Sequence, residues 1–131
     1  MAHLRNLIAA ASFAGLCACQ TQGVAGACTP GDQKLTGHYY LEGIMEVGSE
    51  LLLRPDGSFE FGLAYGALDQ YGKGCWKISG SSLALVPEGR SSGSATHSFD
   101  QPGFDGMVLA IDGADLVWRV DPRHVGRFVK G

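Results

Sequence analysis

Apolar and polar residues alternate with a period of two between tight-turn sequences, and this pattern constrains the fold most strongly. It is clearest at residues 58–65. There, four large side chains would share one face of a strand: Phe59, Phe61, Leu63 and Tyr65. The Pro-Asp-Gly sequence at residues 55–57 is typical of a turn, because Pro presets φ and Gly adopts a positive φ. The stretch therefore predicts a strand, entered from a hairpin turn, with one buried face.

Similar hairpins are predicted at residues 76–86 and 107–120, and all 5 prolines fall between candidate strands. No stretch from residue 19 onward keeps a helical period over three turns. We therefore predict an all-β fold, a small antiparallel meander β-barrel of about seven to nine strands. Closure is expected because it removes exposed sheet edges, and the 20 glycines suit a chain with many turns. The strand count after Val86 stays open.

The N-terminal segment has the pattern of a secretory signal peptide. Arg5 precedes an uncharged, apolar run at residues 7–18, which is shorter than the about 20 residues that cross a bilayer. We predict three regions: a signal peptide at residues 1–18, a flexible tether at 19–34 and a barrel domain at 35–131. The tether is assigned because its residues are small and polar.

The Leu-Cys-Ala-Cys sequence at residues 16–19 resembles the lipobox of bacterial lipoproteins. The resemblance implies cleavage before Cys19, lipidation of Cys19, and sorting to the outer membrane because Asp does not follow it. The expected location is the cell envelope, as an outer-membrane lipoprotein facing the periplasm. A competing cleavage site at residues 25–27 would cut before Cys28 and release a soluble periplasmic protein. We favour Cys19.

The remaining cysteines predict a disulfide. Of the 4 cysteines, Cys17 would leave with the signal peptide and Cys19 would carry lipid. Cys28 and Cys75 then remain in a compartment that oxidises thiols. The alternative is that both are small apolar residues of the fold.

Strand alternation predicts where this disulfide lies. Trp76 is expected to face the barrel interior, together with Gly74 and Ile78. Cys75 would then face outward by strict alternation. Cys28 would therefore fasten the tether to the outer wall of the barrel.

Three segments carry a family resemblance: residues 35–41, residues 55–59 and residues 74–85. They are similar to the Leu-x-Gly-x-aromatic opening, the Pro-Asp-Gly turn and the Gly-x-Trp hairpin of small bacterial lipocalin-like and META-type barrels. Residues 35–86 also resemble uncharacterised envelope proteins of proteobacteria. The resemblance implies a lipocalin-like barrel lipoprotein. Because the shared motifs are turns and core aromatics, they do not specify a function.

Motifs for catalysis are missing from the sequence. It contains no nucleophile elbow, zinc-protease or phosphate-loop motif, and no zinc-ligand spacing. His38, His97 and His124 are dispersed, and Ser94 beside His97 lacks an evident orienting acid. We therefore predict no enzyme, catalytic residue, metal or cofactor. A net charge of -3 also argues against nucleic acid as a partner.

Charge is distributed unevenly, with a balance of -5 over residues 42–69 and +3 over residues 119–130. One interpretation is ordinary solvent-facing charge. The first and last strands would then be neighbours, and acidic residues of one would pair with basic residues of the other. The other is an acidic patch that binds a cationic partner. The first is preferred on sequence grounds because most exposed charges are unspecialised.

The connection at residues 62–72 is unusually apolar and aromatic for a solvated loop. It is either a long bent hairpin whose ends pack inward or a binding rim. For the rim we select Tyr65, Asp69 and Tyr71, because Tyr is favoured at binding sites.

These observations predict an exported, lipid-anchored envelope protein that acts as a non-catalytic binding or scaffolding module. Its expected partners are the membrane, through the lipid anchor, and an envelope protein; no ligand is specified. One alternative is a periplasmic inhibitor of a cationic lysozyme-like enzyme. Another is a carrier of a small apolar ligand, which requires an empty barrel interior. Four aromatic residues could instead fill that interior: Phe59, Phe61, Trp76 and Trp118.

Overall fold

The computed structural model describes residues 27–88 and 103–131. These residues form a closed barrel of eight antiparallel strands in chain order, with the first strand beside the last. The strands are β1 (Gly37–Glu42), β2 (Val47–Leu53), β3 (Ser58–Tyr65), β4 (Leu68–Ser79), β5 (Ser82–Pro87), β6 (Met107–Asp112), β7 (Asp115–Arg119) and β8 (Val125–Lys130). The predicted all-β meander barrel of seven to nine strands is confirmed, with β6, β7 and β8 following Val86.

The period-two pattern becomes the inner and outer faces of the wall. On β3, Phe59, Phe61 and Leu63 face inward and are buried, whereas Glu60 and Ala64 face outward. Tyr65 is 42% exposed because it is the last residue of the strand. The fully buried large side chains come from strands all around the barrel: Tyr39, Leu51, Leu53, Phe59, Phe61, Leu83, Leu85, Met107, Leu109, Leu116 and Phe128. Each contributes about 1.5–3 kcal/mol of hydrophobic stabilisation.

Phe104, which precedes β6, completes this core. Its ring centroid lies 4.6 Å from that of Phe61 and 5.8 Å from that of Phe59. A Cβ atom at Gly72 would lie only 2.2 Å from the Phe104 ring. Gly72 is therefore required by packing, because the Phe104 ring occupies the space of a side chain on the inner face of β4.

Residues 28–35, which we call the N-terminal strap, are fastened to the barrel. Cys28 forms a disulfide with Cys75, with the Cα atoms 5.4 Å apart. The Gly31 amide donates a hydrogen bond to the Pro55 carbonyl at 3.1 Å. The predicted disulfide is thus confirmed. The predicted tether at residues 19–34 is held against the barrel from Cys28 onward.

The strap packs against the end of the barrel that carries the β2–β3 and β4–β5 turns. A Cβ atom at Gly31 would lie 2.0 Å from the Trp76 indole, so the strap backbone directly covers this ring. Leu35 is buried, and the Tyr39 hydroxyl donates to its carbonyl at 2.7 Å. Burial raises the pKa of Tyr39 to about 12, with a further contribution from the negative charge of Asp115. The strap therefore forms part of the folded unit.

Alternation along β4 is as predicted, although the end of the strand extends beyond the buried core. Gly74 and Trp76 are buried and Cys75 is partly exposed, so the disulfide lies on the outer wall. Ile78 lies opposite the buried Leu83 and therefore on the inner side of the wall, yet its side chain is 41% exposed. It lies one residue from the end of β4, where the wall extends past the core. The predicted signal peptide, the competing cleavage site at residues 25–27 and Cys19 lie outside the described residues, except for Ala27.

Candidate functional site

The outer wall of β1–β4 carries an open groove with a volume of about 740 Å³, which we call the outer groove. Residues from all four strands line it. The ones used below are Tyr40, Glu50, Glu60, Gly62, Asp69 and Tyr71. Because the barrel is closed, it has no free strand edge, and another molecule would meet the outer face of the wall.

Strand register places four of these residues in one row across the wall. Tyr40 lies opposite Glu50, Glu50 opposite Gly62, and Gly62 opposite Tyr71. Neighbouring strands are about 4.8 Å apart, so roughly 14 Å separates the Tyr40 and Tyr71 backbones. The row therefore has an aromatic residue at each end and a glycine in its floor.

The floor of the groove contains two glycines that the fold itself does not require. A Cβ atom at Gly48 or Gly62 would meet no atom within 4 Å, and neither residue has a positive φ. Gly72 differs, because packing requires it. A glycine within a strand costs about 0.5–1 kcal/mol of stability relative to Ala. Such a glycine often marks a place where a ligand or another backbone comes close.

Both aromatic walls of the groove are exposed. Tyr71 is 61% and Tyr40 43% exposed, although each has a large apolar ring. The Tyr40 hydroxyl lies 3.3 Å from Nδ1 of His38, whose Nε2 lies 3.0 Å from Oε2 of Glu50. The neutral His38 tautomer with a proton on Nε2 satisfies both contacts, since it donates to Glu50 and accepts from Tyr40. His38 thus orients Tyr40 and Glu50 on the same side of the groove.

Carboxylates surround the glycine floor. Glu60 forms an ion pair with Arg54 at 3.0 Å, whereas Asp69 has no ion-pair partner among the described residues. Glu50 lies 3.0 Å from Nε2 of His38. Carboxylates therefore lie on three strands of the groove, with Arg54 and Lys73 beside Glu60, and the aromatic residues lie among them.

Arg127 and Lys130, two cations near the C-terminus, have hydrogen-bond partners outside the outer groove. Arg127 donates to Asp112 at 2.7 Å and to Asp115 at 3.1 Å, and these hydrogen bonds raise its pKa. Lys130 donates to the Lys34 carbonyl at 2.8 Å. β1 and β8 are neighbours as the sequence suggested, and their register places Glu42 opposite Arg127. The chain-end complementarity preferred from sequence is thus present at Glu42 and Arg127, while Glu50, Glu60 and Asp69 lie at the outer groove.

The predicted rim residues are divided between two faces. Asp69 and Tyr71 face outward from β4 and line the outer groove. Tyr65 lies opposite Val47 and Leu68, on the side of β3 that faces the interior. The structure thus brings Asp69 and Tyr71 together with Tyr40 and Gly62, which the sequence analysis did not select.

Other polar clusters among the described residues stabilise turns. The pKa of Asp56 is lowered by a hydrogen bond from the Ser58 hydroxyl and then by the Ser58 amide. The pKa of Asp121 is lowered chiefly by its hydrogen bond with His124, whose Nδ1 lies 2.7 Å from Oδ2. No group of three or more His, Cys, Asp or Glu in residues 27–88 and 103–131 could hold a metal ion. Ser94 and His97 lie outside the described residues.

Comparisons with known proteins find no matching family, no similar curated protein and no similar solved structure. Within the described part of the chain, no helix has the length and apolar character needed to cross a membrane.

Proposed function

We propose that this protein is an exported envelope lipoprotein that acts as a non-catalytic binding module through its outer groove. The observation that carries the proposal is the glycine floor between two exposed tyrosines. Gly48 and Gly62 weaken their strands without relieving a clash, and they leave Tyr40 and Tyr71 accessible from the groove. Tyr is enriched at protein interfaces because a rigid ring buries much area at little entropic cost.

The charge of the groove indicates a cationic partner. Residues 42–69 carry a balance of -5, and Glu50, Glu60 and Asp69 lie around the aromatic walls. Complementary charge speeds encounter and selects among partners more than it adds affinity. An envelope protein with a basic surface would therefore be attracted to this wall, and the attraction would weaken with salt.

The N-terminal strap supports a role near a membrane. Cys28 is nine residues after Cys19, so a lipid on Cys19 would hold the disulfide within about 30 Å of the bilayer. A chain fastened only at Leu35 would reach almost twice as far. The disulfide would thus keep the outer groove at a limited height above the membrane.

The alternatives differ in how well the geometry suits them. Inhibition of a cationic lysozyme-like enzyme agrees with an acidic wall and is one special case of binding a basic partner. A carrier of a small apolar ligand is less favoured, because Phe59, Phe61 and Trp118 fill the interior together with Phe104.

Site-specific photocrosslinking tests the proposed function. A photoreactive residue replaces Tyr71 in the groove or, as the matched control, Val108, which is 50% exposed on β6 outside the groove. The full chain is expressed in a bacterial envelope. We expect a discrete crosslinked partner from position 71 and none from position 108. Equal capture from both positions, or none from either, contradicts the proposal. Intact mass of the same protein tests lipidation of Cys19.

A further inference from the structure

We infer that the outer groove binds an extended cationic peptide segment that carries Arg at every second position. This inference rests on the proposed binding function and deepens it by naming the partner class. It depends on how strand register spaces the carboxylates along the groove.

Three successive outward positions of β3 each either carry a carboxylate or lie opposite one on a neighbouring strand. Glu60 occupies the first position itself, where it is paired with Arg54 at 3.0 Å and lies opposite Lys73. Gly62, the second, lies opposite Glu50, and Ala64, the third, lies opposite Asp69. Outward positions on one strand repeat every two residues, or about 6.7 Å. The carboxylates therefore recur along the groove axis with a spacing close to 6.7 Å.

An extended peptide laid along β3 has the same spacing. Every second side chain of such a peptide points to the same side, again about 6.7 Å apart. Cations at positions i and i+2 would thus face Glu50 and Asp69, whereas Glu60, the next carboxylate along the row, is already paired with Arg54. Because Gly62 has no side chain and Ala64 has only a methyl group, the peptide backbone could lie close to the wall.

The walls of the groove favour Arg over Lys. A guanidinium group stacks on an aromatic face and binds a carboxylate with two parallel hydrogen bonds, whereas an ammonium group does neither as well. Tyr71 lies beside Gly62 in register, and Glu50 lies on the other side of Gly62, where His38 orients it. An Arg side chain above Gly62 would contact both the Tyr71 ring and the Glu50 carboxylate.

A second copy of this chain fits the groove less well. The chain has a net charge of -3, and no run of alternating cations occurs in residues 27–88 or 103–131. Arg127 is already bound by Asp112 and Asp115. A basic segment of another protein is the occupant that the charge and spacing favour.

The test is a fluorescence-anisotropy titration of the mature protein with its disulfide intact. The probe is a labelled octapeptide of alternating Arg and Thr. A peptide of the same composition with its four Arg in one block has the same charge but not the spacing. An alternating Lys-Thr peptide tests the preference for Arg. We expect the alternating Arg peptide to bind about tenfold more tightly than the block peptide and several-fold more tightly than the Lys peptide.

Protein variants locate the binding site. Gly62→Leu fills the floor where a Cβ meets no atom, and it should weaken binding at least about tenfold. Ala110→Leu makes a similar change on the outer face of β6, away from the groove, and should leave binding unchanged. Asp69→Asn should weaken binding about two- to fivefold, the effect of one exposed ion pair.

Equal binding of the alternating and block peptides would overturn the spacing argument. Unchanged binding by Gly62→Leu would place the site elsewhere. A crosslinked partner at position 71 without alternating-peptide binding would leave the proposed function intact and refute only this inference. Self-association that Gly62→Leu abolishes, measured by analytical ultracentrifugation without peptide, would assign the groove to a second copy and also refute it.

Discussion

Replacing the floor glycines should stabilise the protein while it removes binding. Gly48 and Gly62 lie in strands with open space where a side chain would be, and neither has a positive φ. Substitution with Thr removes excess backbone entropy from the unfolded chain and adds a residue with high strand propensity. We expect Gly62→Thr to raise the free energy of unfolding by about 1 kcal/mol, or the Tm by roughly 4–8 °C.

The matched control is the same substitution at Gly72. There a Cβ atom would meet the Phe104 ring at 2.2 Å, so overpacking should lower the free energy of unfolding by about 1–3 kcal/mol. Urea unfolding followed by Trp fluorescence measures both changes, and the m-value shows whether the unfolding transition stays comparable. The same chemical change should thus have opposite effects at Gly62 and Gly72.

Binding is measured on the same variants. Gly62→Thr should be more stable than the natural chain yet capture little of the partner crosslinked from position 71. This combination separates a functional glycine from a structural one, since a glycine required by the fold would lower stability when replaced. Destabilisation by Gly62→Thr, or full binding by the stabilised variant, would refute the reasoning.

Three further predictions concern the fold that presents the groove. Replacing Cys28 and Cys75 with Ser should lower the free energy of unfolding by about 4 kcal/mol in urea, since the disulfide closes a long loop; an unchanged midpoint would contradict this. Tyr39 should ionise near pH 12 in an absorbance titration at about 295 nm, above an ordinary Tyr at about 10. Because its folded pKa is raised, its stabilising contribution is full below about pH 10 and is lost as pH rises towards 12, and Tyr39→Phe should remove this loss. Phe104→Ala should lower the free energy of unfolding by about 2–4 kcal/mol by emptying part of the core, and an unchanged urea midpoint would place its ring outside that core.

The barrel was predictable because its main determinant is local. Period-two alternation at residues 58–65 assigns Phe59 and Phe61 to one face, and the turn at 55–57 reverses the chain. Alternation also placed Cys75 on the outer wall. It did not show that Ile78 is exposed, because alternation sets the side of the sheet but not how far the core extends along it.

Long-range packing was not predictable from these patterns. Phe104 lies in a connection, and only the folded chain shows that its ring occupies the space above Gly72. The sequence of the strap did not indicate that Gly31 lies against Trp76, because a glycine in a polar segment is also typical of a linker. Both contacts depend on residues far apart in sequence.

The groove was half predictable for the same reason. Asp69 and Tyr71 were selected because an aromatic, apolar connection is unusual. Tyr40 and Gly62 join them only through the register of four strands, which the sequence does not specify. The sequence nonetheless contained one signal. Gly62 lies on the predicted outer face of a clearly alternating strand, away from any turn, and such a glycine often marks a close approach by a ligand or another backbone.

The most direct test of the central claim is photocrosslinking from position 71 in two backgrounds, the natural floor and Gly62→Thr, within an intact bacterial envelope. If the outer groove is the binding surface, the natural floor yields a discrete partner with a basic segment. The Gly62→Thr background, although at least as stable, then loses most of that product. Equal yields of the same partner in both backgrounds would show that the groove floor takes no part in binding and would contradict the account.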